Sequence, residues 1–233
     1  SSANQPMSNE DESIWLVYNG EFYTYKKYRD ELLNKGHKFK SQTDSEVIIH
    51  LYEEYGTNFI EKLRGMFSFA LFDIREQRLI LVRDRVGIKP LYYYDDSTKF
   101  VFASEIKALL LYPGVNKSID IESLTEYFSL GYISGDKSIY NNIRKMPPAH
   151  YLIYSNNRVK IQRYWSLPSE EKLNDEYLAK EKLQALLVES VKMRMISDVP
   201  IGVLLSGGVD SSLVASIMAS QSDRKIKTFS ISF

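Results

Sequence analysis

The residues of this sequence best suited to chemistry form one short glycine-rich stretch. Positions 206–212 read SGGVDSS and directly follow the apolar run at 200–205. Paired glycines allow several backbone N–H groups to converge on one point because no Cβ atom obstructs them, and the serines add hydroxyl donors. Together with the positive end of a following helix, the stretch predicts an anion site suited to phosphate or pyrophosphate.

Asp210 within this stretch would repel a bare phosphate, but it suits a Mg²⁺ ion that bridges phosphate oxygens. The pattern differs from a Walker A motif, which needs a lysine after the last glycine, and from the dinucleotide-binding GxGxxG pattern. A solvent-exposed turn of serine and glycine is the alternative without a function. The apolar strand before the stretch and the amphipathic helix after it favour the anion site.

Three further stretches place polar residues at the ends of predicted elements. Asn19-Gly20 follows a short apolar strand as a turn, Thr43-Asp44 begins a helix, and a basic loop at 83–92 leaves another strand. Each has an ordinary structural explanation by itself: a turn pair, a helix cap by Thr43 or Asp44, and a solvated loop. Their order along the chain carries more information than any one of them.

Alternation and periodicity predict the elements that position these residues. We expect strands at 14–18, 66–72, 78–82, 91–94, 99–103, 151–154 and 159–161, and helices at 25–35, 44–55, 104–111 and 121–128. Several of the strands are apolar on both faces, which predicts a layered sheet with both faces covered.

A polar, proline-containing segment at 166–175 is the predicted linker between a domain at 1–165 and a second domain at 176–233. The second domain is predicted as helix, strand, glycine-rich turn, helix and strand, with the two strands at 200–205 and 227–233, which is one βαβ unit of a parallel sheet. The helix after the turn is expected to bury one face, formed by Val209, Leu213, Val214 and Ile217. Two parallel strands cannot bury both of their faces, so this domain is expected to be incomplete as written.

Composition excludes several classes of function. The 233 residues contain 30 basic and 30 acidic side chains, and this zero net charge argues against a nucleic-acid partner. No apolar run approaches the roughly 18 residues of a membrane-spanning helix, so no membrane partner is expected.

Cysteine is absent, which excludes disulfides, cysteine-ligated metals and a thiol nucleophile, and fits a reducing compartment such as the cytoplasm. His37, His50 and His150 stand in unrelated contexts, so no histidine metal site or Ser-His-Asp triad is predicted.

The motifs resemble two known families in tandem. SGGVDSS is similar to the pyrophosphate loop of the ATP pyrophosphatase superfamily, whose members adenylate a carboxyl or carbonyl group and release pyrophosphate. The earlier stretches, in their order, resemble the class II glutamine amidotransferase domain. The combined resemblance is to the glutamine-hydrolysing asparagine synthetase family, and it runs from Gln5-Pro6 through YNGEFY, TDSEVI, GMFSFALFD, RDRVGIKPLYY, FASEIKAL, IRKMPPAHYL and RYW to VPIGVLLSGGVDSS.

This resemblance implies the fold class, an α/β and α+β chain. A layered αββα, N-terminal-nucleophile-like amidotransferase domain, truncated, would be followed by the first βαβ unit of a parallel-sheet adenine-nucleotide α-hydrolase-like domain. It also implies roles in the first domain. The Asn19 side chain and the Gly20 backbone N–H would bind glutamine and form an oxyanion hole, and Asp44 would hold the α-ammonium group of glutamine. The loop at 83–90 would be mainly structural.

In the second domain the resemblance implies an ATP site. Two apolar residues, Leu204 and Ile231, would contact the nucleotide. The pyrophosphate and Mg²⁺ positions would be Ser206, Gly207, Gly208, Asp210 and Ser211, with Asp210 as the Mg²⁺ ligand. The family reaction uses glutamine, aspartate and ATP: ATP adenylates the aspartate side chain, and ammonia from glutamine displaces AMP to give asparagine. A homodimer is left open.

The sequence departs from the family in one respect that matters for catalysis. The family nucleophile is an N-terminal cysteine whose own α-amine serves as the base, and neither this cysteine nor the arginine that grips the glutamine carboxylate has a counterpart here. We therefore expect an internal fragment of a longer enzyme, which by itself neither hydrolyses glutamine nor makes asparagine.

Three alternatives stay open. One is an adenylating relative that has lost glutaminase, as in β-lactam synthetases, although the presence of Asn19, Gly20 and Asp44 opposes it. Another is a degenerate nucleotide-binding or regulatory module, which the unfinished parallel sheet opposes. The third is a role in tRNA modification, known for some pyrophosphate-loop enzymes, which the zero net charge opposes.

Overall fold

A computed structural model of the protein describes residues 4–168, 174–197 and 199–231. The backbone divides into two units, Ser1–Leu167 and Pro168–Phe233. The predicted linker at 166–175 includes the boundary between these units. Its positions 169–173 lie outside the described residues, so the linker stays a prediction.

Within its described residues, the first unit contains two sheets and four α-helices. In chain order its elements are β1 (Met7–Ser8), β2 (Ile14–Phe22), α1 (Tyr25–Asn34), α2 (Asp44–Tyr55), a 3₁₀ helix (Gly56–Lys62), β3 (Gly65–Asp73), β4 (Arg78–Arg83), β5 (Tyr92–Asp95), β6 (Phe100–Ala103), α3 (Ile106–Leu111), α4 (Ile121–Leu130), β7 (Ile143–Lys145), β8 (His150–Ser155) and β9 (Arg158–Arg163). All of the predicted strands and helices of this unit are confirmed, with end shifts of a few residues.

The two sheets of the first unit pack as the inner layers of the fold. The larger sheet has the order β1-β2-β3-β4-β8-β9 and the smaller sheet β6-β5-β7, both antiparallel. One face of the larger sheet packs against α2 in a core that includes Leu16, Ile48 and Phe69. The other face meets residues of the smaller sheet through Leu81 and Tyr93. Helix α3 covers the far side of the smaller sheet, so the layers follow the predicted αββα order.

Strand β2 corrects the prediction that Asn19-Gly20 ends a strand at a turn. The strand continues to Phe22, and Asn19 pairs with Ser68 of β3 while Gly20 pairs with Phe67. Gly20 is needed for space, since a Cβ atom there would lie 2.3 Å from the carbonyl oxygen of Met66. The glycine therefore permits close approach of two backbones, which a turn-propensity argument does not foresee.

Helix α2 has its predicted bounds, but its N-terminus is organised differently from the prediction. Thr43 occupies the N-cap position without a side-chain hydrogen bond to the helix. Instead, the carboxylate of Glu46 in the first turn accepts hydrogen bonds from the backbone N–H groups of Lys40 at 2.6 Å and Ser41 at 2.7 Å. This reach of a first-turn glutamate back to the preceding chain resembles half of a capping box and anchors the loop that leads to Asp44.

The loop after β4 is organised around the buried carboxylate of Asp84. This carboxylate accepts hydrogen bonds from four backbone N–H groups, those of Phe67, Val86, Ile88 and Lys89, at distances of 2.9–3.2 Å. The guanidinium of Arg83 donates to the carbonyl oxygens of Gly87, Lys89 and Met146. These contacts agree with the structural role predicted for the loop, and they give the charged groups of Arg83 and Asp84 partners within the protein.

The second unit forms a βαβ arrangement preceded by a long helix. Its elements are α5 (Glu176–Arg194), β10 (Gly202–Leu204), α6 (Val209–Ser220) and β11 (Lys227–Phe229). The two strands are parallel, with Val203 opposite Thr228, as predicted. Both strands are shorter than expected, and positions 232–233 of the second predicted strand lie outside the described residues.

The prediction that α6 buries the face formed by Val209, Leu213, Val214 and Ile217 is wrong. Val209 is 84% exposed and Leu213 is 44% exposed, and among the described residues of this unit only Val191 and Met218 are buried. Two strands of three residues present too little surface to cover an apolar helix face. None of the helices among the described residues has the length and apolar character that a membrane crossing needs.

Candidate functional site

The last residues of β2 form the first candidate site. Gly20 and Phe67 face each other across β2 and β3. Phe67 directs its backbone groups to the other side, where it accepts from the N–H of Asp84 at 2.8 Å and donates to the Asp84 carboxylate at 3.2 Å. The Gly20–Phe67 pair is therefore a narrow, non-hydrogen-bonded pair, and the N–H of Gly20 points to the open edge of β2.

The two neighbouring N–H groups on this edge have side-chain partners. The N–H of Tyr18 donates to Oε1 of Gln5 at 2.6 Å, and the N–H of Phe22 donates to Oδ2 of Asp44 at 2.8 Å. Among the described residues no acceptor takes the N–H of Gly20, which lies between them. The edge thus presents one free backbone donor flanked by two occupied ones.

Gln5 holds the backbone next to Asn19, a role that sequence analysis missed. Besides accepting from the Tyr18 N–H, its side chain donates to the Tyr18 carbonyl oxygen at 2.9 Å. Strand β1 pairs only with Trp15 and Leu16 and does not reach Tyr18. The Gln5 amide therefore makes the two hydrogen bonds to Tyr18 that a neighbouring strand would otherwise make. A glutamine before a proline carries no local signal for this contact, because the partner is 13 positions away.

Asn19 is exposed, and its side chain lies on the sheet face that carries the smaller sheet. Its Nδ2 donates weakly to Oγ of Ser104 at 3.4 Å. A cavity of about 230 Å³ adjoins it, with walls that include Gln5, Ser68, Leu91, Phe102 and Ser104. An amide donor at the mouth of a small cavity is suited to contact the carbonyl oxygen of a bound ligand.

Asp44 approaches the same strand from the helical layer. Besides the Phe22 N–H, its Oδ2 accepts the hydroxyl of Tyr18 at 3.2 Å. Burial raises the pKa of the Asp44 carboxyl, although hydrogen bonds from Phe22 and Tyr18 oppose this effect. Burial and the adjacent carboxylate also raise the pKa of the Tyr18 phenol, which keeps it a donor. A partly buried carboxylate at this position is suited to bind a cationic group.

The fold therefore brings Asn19, Gly20 and Asp44 to one end of β2. Side chains alternate along a strand, so Tyr18 reaches Asp44 on the helical side while Asn19 faces the opposite side. The free N–H of Gly20 lies between them in the plane of the sheet.

The glycine-rich loop of the second unit forms the other candidate site. Gly207 has φ of +85°, a left-handed conformation that favours glycine. Gly208 is the N-cap of α6 and provides no side-chain acceptor for the first helical N–H groups. Ser206 Oγ lies 3.0 Å from Ser211 Oγ, which also donates to the Gly208 carbonyl oxygen at 3.1 Å. The helix N-terminus is therefore uncapped and exposed, as an anion site requires.

Leu204 and Ile231 lie at the carboxyl ends of the two parallel strands. The strands are held together there because the Leu205 N–H donates to the Phe229 carbonyl oxygen at 2.8 Å, and Ser230 Oγ donates to the Leu205 carbonyl oxygen at 2.6 Å. Leu204 is 71% exposed and Ile231 is 76% exposed. Two exposed apolar side chains beside a glycine-rich loop, at the edge where parallel sheets bind ligands, are suited to contact a nucleotide base. Asp210 is exposed in the first turn of α6.

Two family models match the chain. The model described as Glutamine amidotransferase domain matches residues 1–165, and the model described as Asparagine synthase matches residues 182–233.

Curated relatives extend over nearly the whole chain. Asparagine synthetase [glutamine-hydrolyzing] 2 of Bacillus subtilis is 39% identical, over 97% of this chain and 32% of the relative. Asparagine synthetase [glutamine-hydrolyzing] 2 of Arabidopsis thaliana is 38% identical, over 93% of this chain and 32% of the relative. Amidase chyE of Penicillium rubens is 38% identical, over 94% of this chain and 32% of the relative. The chain spans about a third, 32%, of the length of each of these three relatives.

Solved structures support the fold. The glutamine phosphoribosylpyrophosphate amidotransferase of B. subtilis, complexed with ADP and GMP, aligns with a TM-score of 0.50 at 18% identity, over 97% of this chain and 48% of that chain. A structure described as the allosteric regulatory enzyme of purine biosynthesis aligns with a TM-score of 0.51 at 21% identity, over 98% of this chain and 47% of that chain. Since the glutamine amidotransferase model covers well over half of the sequence, this chain belongs to the glutamine amidotransferase domain family.

Proposed function

We propose that the protein acts in glutamine-dependent asparagine synthesis, in which glutamine supplies ammonia, ATP adenylates aspartate, and asparagine, AMP and pyrophosphate are formed. The observation that carries this proposal is the presence, in one chain, of a free N–H beside Asn19 and Asp44 and of an uncapped glycine-rich helix start. The names of the relatives and the tandem family matches support it. ATP and glutamine are both available in the cytoplasm, where we place the reaction.

The first site would bind and activate glutamine. The Gly20 N–H and the Asn19 side chain would donate to the oxygen of the glutamine amide as it becomes negatively charged, and this stabilises the tetrahedral intermediate. Asp44 would pair with the α-ammonium group of the same molecule. The sequence contains no cysteine, so these 233 residues supply the oxyanion donors and not a thiol nucleophile.

The second site would bind ATP. The N–H groups at the start of α6, with Ser206, Gly207, Gly208 and Ser211, would hold the pyrophosphate portion. Leu204 and Ile231 would contact the adenine. The exposed carboxylate of Asp210 fits a Mg²⁺ ion, which is held in proteins by one or two carboxylates together with substrate phosphates. Bound Mg²⁺ neutralises phosphate charge. The division into domains at 1–165 and 176–233, joined by the linker at 166–175, belongs to the same proposal.

The test uses the full protein that the gene encodes, with aspartate and ATP and with either glutamine or ammonia as nitrogen source. Asn19→Ala should abolish glutamine-dependent asparagine formation and spare ammonia-dependent formation, because only glutamine activation needs the oxyanion donor. Asp210→Asn should abolish both. Ser216→Ala serves as the matched control, because Ser216 is an exposed serine of α6 outside the glycine-rich stretch, and both reactions should persist.

Two results would overturn the proposal. Absence of aspartate-dependent exchange between ATP and pyrophosphate would exclude the synthetase reaction. Asparagine formation from ammonia alone, with no response to glutamine, would identify an adenylating relative without glutaminase.

A further inference from the structure

The fold places two of the three histidines side by side, contrary to the sequence expectation that they are unrelated. His37 follows α1 and His50 lies in α2, and the centroids of their rings are 4.8 Å apart. Glu10, in the loop after β1, lies next to them. Each of these three residues offers one ligand atom, and the three atoms lie within 4.8 Å of one another.

His50 has the arrangement of a metal ligand. It is 1% exposed, and its Nδ1 lies 2.6 Å from Oε2 of Glu53. Its Nε2 is buried and has no hydrogen-bond partner among the described residues. When Nδ1–H donates to the carboxylate, Nε2 carries a lone pair. A carboxylate that orients the second ring nitrogen is the usual partner of a metal-bound histidine.

The surroundings of the pair are rich in carboxylates. Glu53 is held by Asn9, whose Nδ2 donates to it at 2.8 Å, and its Oε2 lies 3.5 Å from Nδ1 of His37. Glu54 lies 3.0 Å from Nε2 of His37. Glu10 is exposed and accepts the Lys38 N–H at 3.1 Å.

Lys35 already neutralises one of these carboxylates, and the other cations nearby have contacts of their own. Lys35 pairs with Glu54 at 2.7 Å, and Lys40 donates to the Asn9 carbonyl oxygen at 3.4 Å. The Arg29 guanidinium lies over the ring of Phe39. Among the described residues, Glu10 and Glu53 have no lysine or arginine as an ion-pair partner, which favours a bound cation beside them.

We propose that Glu10, His37 and His50 bind a divalent transition-metal ion, with Zn²⁺ as the best match. Two imidazoles and one carboxylate suit Zn²⁺, whereas Mg²⁺ and Ca²⁺ prefer oxygen ligands only. A water molecule would complete the tetrahedral shell. Glu53 acts as the positioning residue behind His50.

The geometry needs only a small adjustment. For three atoms at most 4.8 Å apart, one point lies within about 2.8 Å of all of them, against about 2.0–2.2 Å for Zn²⁺ bonds to nitrogen and oxygen. The exposed Glu10 side chain and the partly exposed His37 can close this difference by rotation. A bound ion would tie the loop after β1 and the end of α1 to α2, the helix that begins at Asp44.

The experiment titrates the chelator-treated protein with ZnCl₂ by calorimetry, with CoCl₂ and visible absorption as a second readout of the ligand shell. We expect one strong site per chain and a rise in the thermal midpoint with Zn²⁺. His37→Gln and Glu10→Gln should each weaken binding by at least about tenfold. These variants change side chains that are not deeply buried, so both should fold, whereas His50→Gln would also disturb the core.

His150→Gln is the matched control, because it removes the third histidine, whose Nδ1 lies 2.6 Å from the Pro148 carbonyl oxygen. Its Zn²⁺ affinity should equal that of the unchanged protein. The proposal is wrong if no saturable Zn²⁺ binding occurs, if His37→Gln and Glu10→Gln bind as tightly as the unchanged protein, or if His150→Gln weakens binding to the same degree. None of these readouts depends on the proposed asparagine synthesis.

Discussion

The carboxylate of Asp44 accepts the backbone N–H of Phe22 at 2.8 Å, which joins the first turn of α2 to the end of β2. The two residues are 22 positions apart in sequence. Because the same oxygen also accepts the Tyr18 hydroxyl, the helix start is tied to the strand on both sides of Asn19 and Gly20. The placement of the candidate glutamine site therefore depends on the docking of α2 against β2.

Replacing Asp44 with asparagine should separate stability from ligand binding. Burial raises the pKa of the Asp44 carboxyl in the native state. Between the ordinary and the raised pKa, the native state therefore binds more protons than the unfolded state. The free energy of unfolding consequently falls as pH rises through that range. At pH 7 the variant should therefore be as stable as the unchanged protein, or more stable by on the order of 1 kcal/mol. Urea unfolding in a series of buffers from pH 7 down to pH 4 checks this, and the advantage should shrink as the pH falls below the raised pKa of Asp44. A clear loss of stability at pH 7 would contradict the argument, and glutamine-dependent activity should be lost in either case.

Gly20→Ala should destabilise the first unit because the new Cβ meets backbone atoms that cannot move aside. It would lie 2.3 Å from the Met66 carbonyl oxygen and 2.6 Å from the Phe67 Cα. Overpacking of this kind costs about 1–3 kcal/mol, and separation of β2 from β3 would add to it. Denaturant unfolding measures the loss. Val17→Ala, at a half-exposed position of the same strand, should cost less than about 1 kcal/mol, and equal losses for the two variants would refute the steric explanation.

Asp84→Ala should be among the most damaging single changes in the first unit. It would leave four backbone N–H groups without their acceptor in a buried position. We expect a loss of about 3–5 kcal/mol in the free energy of unfolding. Asp84→Asn keeps one acceptor oxygen and should lose less. Asp95→Ala, which removes an exposed contact to the Ser97 N–H, is the control and should change stability only slightly. An Asp84→Ala variant with normal stability would show that water replaces the carboxylate.

Gly207→Ala should weaken nucleotide binding by the second site. The residue has φ of +85°, where a side chain costs about 1–2 kcal/mol, and relief of this strain would rotate the N–H groups away from the anion. We expect the affinity for ATP to fall at least about tenfold, since about 1.4 kcal/mol corresponds to that factor. Calorimetric titration with ATP checks this. Unchanged ATP affinity in Gly207→Ala would remove the loop from the proposed site.

Local patterns were sufficient for most of the elements. The apolar period of α2, the continuous apolar runs of β3 and β4, and the strand–turn–helix order around positions 206–212 each depend on residues within a few positions of one another. Such short-range preferences were enough for the sequence by itself to determine these elements and the glycine-rich motif, whereas the αββα fold class was expected from the family resemblance.

Only the tertiary structure decided which distant residues meet. The Gln5 amide against Tyr18, the requirement for glycine at position 20 opposite Phe67, and the pairing of His37 with His50 arise from strand register and helix docking. The exposure of Val209 likewise depends on how much sheet surface is available to cover α6. A one-residue change of register would turn each strand side chain to the opposite face, so no local pattern can specify such contacts.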